Sequence, residues 1–227
     1  MYHQFKELAA VDITKERMEV GPTAHYVMGG VKVDPVTQES TVSGLYAAGE
    51  AATGLHGANR LGGNSLSDLI TFGKRAGQYA AEAAAAMDDY GDIDQTEIEQ
   101  VIAETLAPLS RDGGENPAKI VEDLREMMQE KVGIIRQGKQ LQEALQELEG
   151  FRKREEATSP GGTRIYNPGW HQALEIGAMI DISKMCAVAA LAREESRGGH
   201  TRLDFPTPDH KHWGKINSVI VMNSSGD

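Results

Sequence analysis

Cysteine is almost missing from this 227-residue chain. Cys186 stands alone, which excludes an intrachain disulfide framework and any zinc or iron–sulfur site built on several cysteines. Aromatic residues are only 5%, which argues against an all-β sandwich and, with 25 glycines, suits helices joined by glycine-dense turns. No apolar run approaches the roughly 20 residues needed to cross a bilayer. The opening MYHQFKELAA lacks the basic-then-apolar order of a secretory signal. The expectation is a soluble, cytoplasmic chain. Positive charge is short: Lys and Arg number 23 against 34 Asp and Glu, a net −11 that disfavours a nucleic-acid partner or an anionic membrane surface. No two glycines are spaced i, i+2, so the G-x-G-x-x-G dinucleotide fingerprint is nowhere in the chain. What remains, 40% hydrophobic and 25% charged, is a folding composition long enough for one large domain or two small ones.

The charge is −2 over residues 1–87, −9 over 88–156 and 0 over 157–227, so the middle third is an acidic, solvated surface and chemistry is sought on either side of it. FKELAAV near the start reads as a short helix. TAHYVMGGVKV (23–33) and SGLYAA (43–48) read as strands, the second ending at Gly49-Glu50. AATGLHGANRLGGN (51–64) is a Gly/Asn-rich loop from which a helix starts abruptly, with Asn64 or Ser65 as N-cap and Asp68 in the first turn. In that helix Gly73 and Gly77 share a face open to another backbone. Apolar periodicity then predicts three helices: one carrying Ile98, Val101, Ile102, Leu106 and Leu109; one opened by Asn116-Pro117 and running to Gly150; and one from Trp170 to Ser196. Short connections imply an antiparallel three-helix bundle. The closing INSVIVMN (216–223) reads as a strand without an obvious partner.

Several patterns invite chemistry and have blander explanations. Gly133…Gly138-Lys139 fits G-x-x-x-x-G-K, but Gln140 stands where a P-loop needs Ser or Thr, and no strand precedes it. His200, His210 and His212 with Asp204 and Asp209 read as a polar, partner-facing tail rather than a metal site. Asn223-Ser-Ser is a glycosylation sequon without a secretory signal. Cys186, in MCAVAALA, reads as a buried structural thiol.

The first 70 residues concentrate oriented polar groups. Glu50 follows an apolar strand and a glycine, where a carboxylate can accept from sugar or polyol hydroxyls. Arg60 offers a planar fork suited to a carboxylate or phosphate. Gly62-Gly63-Asn64-Ser65 leads into a helix N-terminus, whose free N–H groups favour negative charge. His25 lies in a Gly-flanked strand. A solvated loop explains any one of these residues; their concentration points to an anionic-ligand site.

PTAHYVMGG (22–30), GLYAAGE (44–50) and HGANRLGGNSLSDLITFG (56–73), followed by AREESRGGH (192–200) and DFPTPDHKHW (204–213), resemble the flavoprotein subunit of succinate dehydrogenase and fumarate reductase over nearly the whole chain. The resemblance implies an α+β fragment: the end of a capping domain (1–22), the C-terminal part of a Rossmann-like FAD-binding domain (23–90), a three-helix domain (91–200) and the start of a C-terminal extension (201–227). It implies FAD as cofactor, with Glu50 at the ribityl hydroxyls and Ser65 and Leu66 at the pyrimidine edge, and His25 and Arg60 holding the dicarboxylate. The half that carries G-x-G-x-x-G, and the capping-domain arginine that relays the proton, are missing, so Met1 reads as internal to a longer protein or an artificial start, and the isolated piece as inactive. The partners implied are succinate and fumarate, an iron–sulfur subunit and, through anchor subunits only, the cytoplasmic face of the inner membrane. No metal ligand is implied. Two departures from the family pattern stand out: Arg17 where proline is frequent, and His210 where a second acid follows Asp209. L-aspartate oxidase, on the same fold, is an alternative, although Met28 and Leu61-Gly62-Gly63 fit the dehydrogenase better. A standalone helical interaction module is the alternative of a different kind.

Overall fold

The computed structural model describes residues 1–19, 21, 24–89 and 91–222. Six α-helices and one two-stranded sheet follow in order: α1 (Tyr2–Ala9), α2 (Asn64–Ala85), α3 (Gln95–Leu106), α4 (Pro117–Val132), β1 (Ile135–Arg136), α5 (Gly138–Glu156), α6 (Pro168–Ala192) and β2 (Thr201–Arg202). Three starts follow from capping chemistry. Asp94 accepts from the Thr96 and Glu97 amides, Asn116 from Ala118 and Asn167 from Trp170, with proline at the first helical position of α4 and α6.

The core is built by α4, α5 and α6, where Ile120, Leu124, Leu141, Leu148, Ile176 and Ile180 are fully or almost fully buried. On α6 the buried positions are Ala173, Ile176, Ile180, Ser183, Ala187 and Ala190, a 3–4 spacing whose small residues admit close neighbours. Leu174 and Val188, apolar residues of the same helix, lie on its exposed side.

The membership of this unit corrects the sequence reading. The helix expected from 116 to 150 is two helices, α4 and α5, broken at Gly133. The helix expected to join them, α3, contributes nothing to the core: Ile98, Val101 and Ile102 are 39%, 54% and 53% exposed. The chain between Val132 and Gly138 becomes β1, which pairs parallel with β2 in the register Ile135–Thr201 and Arg136–Arg202.

Strand readings fare differently. Within 24–63 the expected strands reduce to isolated bridges, Val31–Ala52, Val33–Ser40 and Glu39–Tyr46. Residues 216–222 form no strand, and Val219, Val221 and Met222 are exposed. The sequon at Asn223 and the expected boundaries at 22 and 90 lie outside the described residues. Among the described residues, no helix is long and apolar enough to cross a membrane.

α5 passes through Gly150, where the sequence suggested a stop, because Phe151 just beyond it is buried against the core. Gly150 is helical and has open space where a Cβ would stand. Gly150→Ala is therefore expected to raise stability by about 0.5–1 kcal/mol, by lowering the entropy of the unfolded chain. A thermal-unfolding midpoint equal to or below the wild type contradicts this.

Candidate functional site

Helix α2 starts at Asn64, but neither Asn64 nor Ser65 caps it. The cap position is Gly63, in the left-handed region at φ 79°, and no side chain accepts from the first turn. The tight turn is closed instead by the Asn64 amide donating to the Leu61 carbonyl at 3.1 Å. The positive end of a 22-residue helix is thus left without a side-chain cap among the described residues. Ser65 is half-buried and Leu66 is exposed at this end.

Asp68 does not serve the helix dipole as expected. It is buried, and its Oδ2 meets His56 Nε2 at 3.2 Å and receives the Tyr26 hydroxyl at 3.4 Å. The Tyr26 and His56 rings meet edge to face, 5.3 Å between centroids. Burial first, then the negative charges of Asp68 and Glu50, raise the Tyr26 phenol above its ordinary value, so it stays a neutral donor.

The Arg60 guanidinium stacks over Tyr26, its Cζ 4.7 Å from the ring centroid. Its Nη1 makes one long bond, 3.4 Å to the Leu61 carbonyl, and its Nε is buried without a partner. Beside Tyr26, the Val27 amide donates to Glu50 Oε1 at 2.9 Å. Of the five expected ligands, Glu50 and Arg60 therefore engage one dipeptide, Tyr26-Val27. His25, next in the chain, is exposed. Ser65 and Leu66 share no hydrogen bond with Arg60 or Glu50 among the described residues. A cavity of about 250 Å³ lined by Val33, Gln38, Gly49, Thr53, Asp68 and Phe72 lies alongside, and none of the five lines it.

Glu50 is presented by a 3₁₀ turn, Gly49–Ala51, packed against α2. Gly49 is buried at φ 70°, and a Cβ there would stand 2.4 Å from Leu69 Cδ2, so the turn needs a residue without a side chain.

A polar knot at the far end of the chain holds the Arg60 loop from outside. Arg136 Nε donates to the Val132 and Gly133 carbonyls, closing α4. Arg202, 2% exposed, donates to the Ala190 and Leu191 carbonyls, closing α6. Asp204 pairs with Arg202 and accepts from the Gly138 amide, opening α5. Cations thus sit at two helix C-termini and an anion at one N-terminus, as the helix dipoles require. His200 Nδ1 lies 2.8 Å from Arg136 Nη1, which can only donate. Its proton is then on Nε2, donated to the Arg193 carbonyl at 3.1 Å, and burial holds its pKa below the ordinary value. Glu195, fully buried, accepts from Arg193, from both Nε and Nη2 of Arg197, and from the Asp209 amide.

The turn Arg197–His200 seats this knot on the Arg60 loop. The Gly199 amide donates to the Ala58 carbonyl at 3.0 Å. Gly198 is at φ 58°, and a Cβ on it would stand 2.3 Å from that same oxygen. The approach is backbone to backbone, two residues from Arg60.

Sequence reasoning missed Tyr26, His56 and Asp68 as partners of the site. Tyr26 had a signal, an aromatic beside a candidate ligand. The His56–Asp68 pairing had none, because twelve residues of loop and helix separate the two. Cys186 is half-buried, and burial raises its thiol above the ordinary value, against a nucleophilic role.

Comparison with known proteins fits this geometry. The family described as "Fumarate reductase flavoprotein C-term" matches residues 121–227, and the family "FAD binding domain" matches residues 1–66. The succinate dehydrogenase flavoprotein subunit of Coxiella burnetii is 34% identical over 221 residues, covering 92% of this chain and 38% of the relative. The fumarate reductase flavoprotein subunit of Escherichia coli is 39% identical over 205 residues, 88% of this chain and 33% of the relative. A solved structure, Mycobacterium smegmatis Sdh1 in complex with UQ1, superposes with a TM-score of 0.86 at 49% identity, over 92% of this chain and 35% of that one. The chain therefore spans little more than a third of the length of these relatives. It belongs to the succinate dehydrogenase and fumarate reductase flavoprotein family.

Proposed function

We propose that this chain supplies part of the flavin and dicarboxylate site of a full-length flavoprotein that interconverts succinate and fumarate. The carrying observation is Arg60: a guanidinium over Tyr26, with a buried Nε that has no partner among the described residues, near the uncapped start of α2. A buried donor without an acceptor is costly, and an anionic ligand removes that cost.

The residues present fit FAD. Glu50 is exposed and its carboxylate can accept from ribityl hydroxyls, while the N-terminus of α2 at Ser65 and Leu66 can face the pyrimidine edge. When bound, FAD supplies the two-electron acceptor. The protein's part is electrostatic and geometric. The helix terminus stabilises negative charge that develops near it, and Arg60 with His25 fixes the two carboxylates so that one C–H bond is correctly aimed. Arginine suits this role because its fork is bidentate and always charged.

The finer features of the reading rest on the family resemblance alone. The segment 24–85 forms the C-terminal part of a Rossmann-like FAD domain, and α4 to α6 form an antiparallel bundle behind it. Electrons pass to an iron–sulfur subunit, and the complex meets the cytoplasmic face of the inner membrane through anchor subunits. The 227-residue piece alone holds no FAD and turns over nothing.

The test is to purify the full-length flavoprotein, measure its flavin absorbance, and follow dye reduction on adding succinate. Flavin near one per chain with succinate-dependent reduction supports the proposal. A flavin-loaded protein inert toward both succinate and fumarate overturns it, as does a flavin band on the isolated 227-residue chain for the inactivity of the piece.

A further inference from the structure

Arginine binds a carboxylate bidentately only when its plane is fixed, and a long side chain on a glycine-rich loop does not fix itself. Arg60 makes one marginal hydrogen bond, at 3.4 Å, to its neighbour's carbonyl. What holds its plane is the Tyr26 ring beneath it. That ring is itself held twice: its hydroxyl donates to buried Asp68, and it makes a T-shaped contact with the His56 ring. Asp68 and His56 in turn contact each other, with side chains 5% and 6% exposed. The Val27 amide, held by Glu50, fixes the backbone one residue further on.

We propose that Tyr26 is a positioning residue for Arg60, acting as a rigid platform whose orientation is set by the buried Asp68–His56 pair. This rests on the reading of Arg60 as a dicarboxylate ligand. Tyr26 itself need not touch the dicarboxylate. The ring supplies the cation with an attractive face and uses none of its N–H donors.

The test is a double-mutant cycle in the full-length flavoprotein, with binding of malonate, a dicarboxylate that has no vicinal C–H pair to lose, measured by calorimetry alongside succinate kinetics. Tyr26→Leu is expected to weaken malonate binding by about three- to tenfold, the range of a partly desolvated cation–π contact. Tyr26→Phe, which keeps the ring and loses only its bond to Asp68, is expected to weaken malonate binding less than Tyr26→Leu, by about threefold or less. In an Arg60→Ala background Tyr26→Leu is expected to add nothing, because there is no guanidinium left to orient. Flavin content and thermal midpoint report folding for every variant, and Tyr26→Met takes the place of Tyr26→Leu in the cycle if the latter does not retain flavin. An undiminished effect of Tyr26→Leu in the Arg60→Ala background overturns the proposal and makes Tyr26 a packing residue only. No effect in the wild-type background overturns it too. If Arg60→Ala itself leaves malonate binding unchanged, the dicarboxylate reading of Arg60 fails, and this inference with it.

Discussion

Arg60→Lys in the full-length flavoprotein lowers turnover of succinate by about 10²-fold and leaves flavin content unchanged. Lysine keeps the charge, so the dianion is still attracted, but it offers a single ammonium in place of a planar fork and stacks poorly on Tyr26. A reacting C–H bond displaced by about 1 Å is enough for a loss on the order of 10²-fold. Glu50→Gln acts in the opposite sense. Its expected partners are cofactor hydroxyls and its observed one is the Val27 amide, so flavin retention weakens first while kcat per bound flavin changes little. The two variants are compared by flavin-to-protein absorbance ratio and by kcat normalised to flavin. Arg60→Lys losing flavin while keeping a normal kcat per flavin reverses the assignment.

Glu195→Gln is expected to cost about 3 kcal/mol, the lower end of the range for breaking a buried ion pair, because Arg193 and Arg197 keep some contact with water. The amide keeps the shape and cannot serve two guanidiniums and the Asp209 amide as an anion does. The effect has a pH signature. Hydrogen bonds from Arg197 hold the Glu195 carboxyl at about 2, against an ordinary 4.5. An acid with a lower pKa folded than unfolded stabilises the fold fully above the unfolded value, and its contribution drains away as pH falls toward the folded one. The gap in thermal midpoint between wild type and Glu195→Gln is thus constant from neutrality to about pH 5 and narrows between 4.5 and 2. Asp204 is also held well below its ordinary value, chiefly by Arg202, but is present in both proteins and cancels in the difference. A gap that is independent of pH down to 2.5 contradicts the assignment of the stability to this carboxylate.

How much of this was legible beforehand depends on the range of the interaction. The Asn116-Pro117 start of α4 is local capping chemistry and reads directly from sequence. The break at Gly133 had a visible signal, Gly133 and Gly138 flanking four residues, but Ile134 and Ile135 between them continue the apolar run and mask it. What ends α4 is Arg136 reaching back to its carbonyls, and what holds the break open is pairing with residues 201–202, sixty-six positions away. No window along the chain contains that partner. The same holds for α3, whose stripe is as regular as that of a core helix. Periodicity shows that a face is apolar; it does not say which surface covers it. At the candidate site, Glu50 and Arg60 are proposed from chemical type and family motif, whereas the Tyr26 platform exists only in three dimensions.

The contact between Gly198 and Ala58 also has a bearing on synthesis. A ribosome delivers the Ala58 loop first and the glycine turn that seats it 140 residues later. At about 5–20 residues per second, the loop carrying Arg60 waits on the order of 10 s before its last fixing point exists. All five candidate ligands are translated by then, yet the cradle is finished only when α4, α5 and α6 have packed and the Arg197–His200 turn has closed over the Ala58 carbonyl. A nascent chain stalled before Gly198 has every ligand and no latch. The Ala58 loop can therefore be latched only after the Arg197–His200 turn has been made, an order set by position along the messenger.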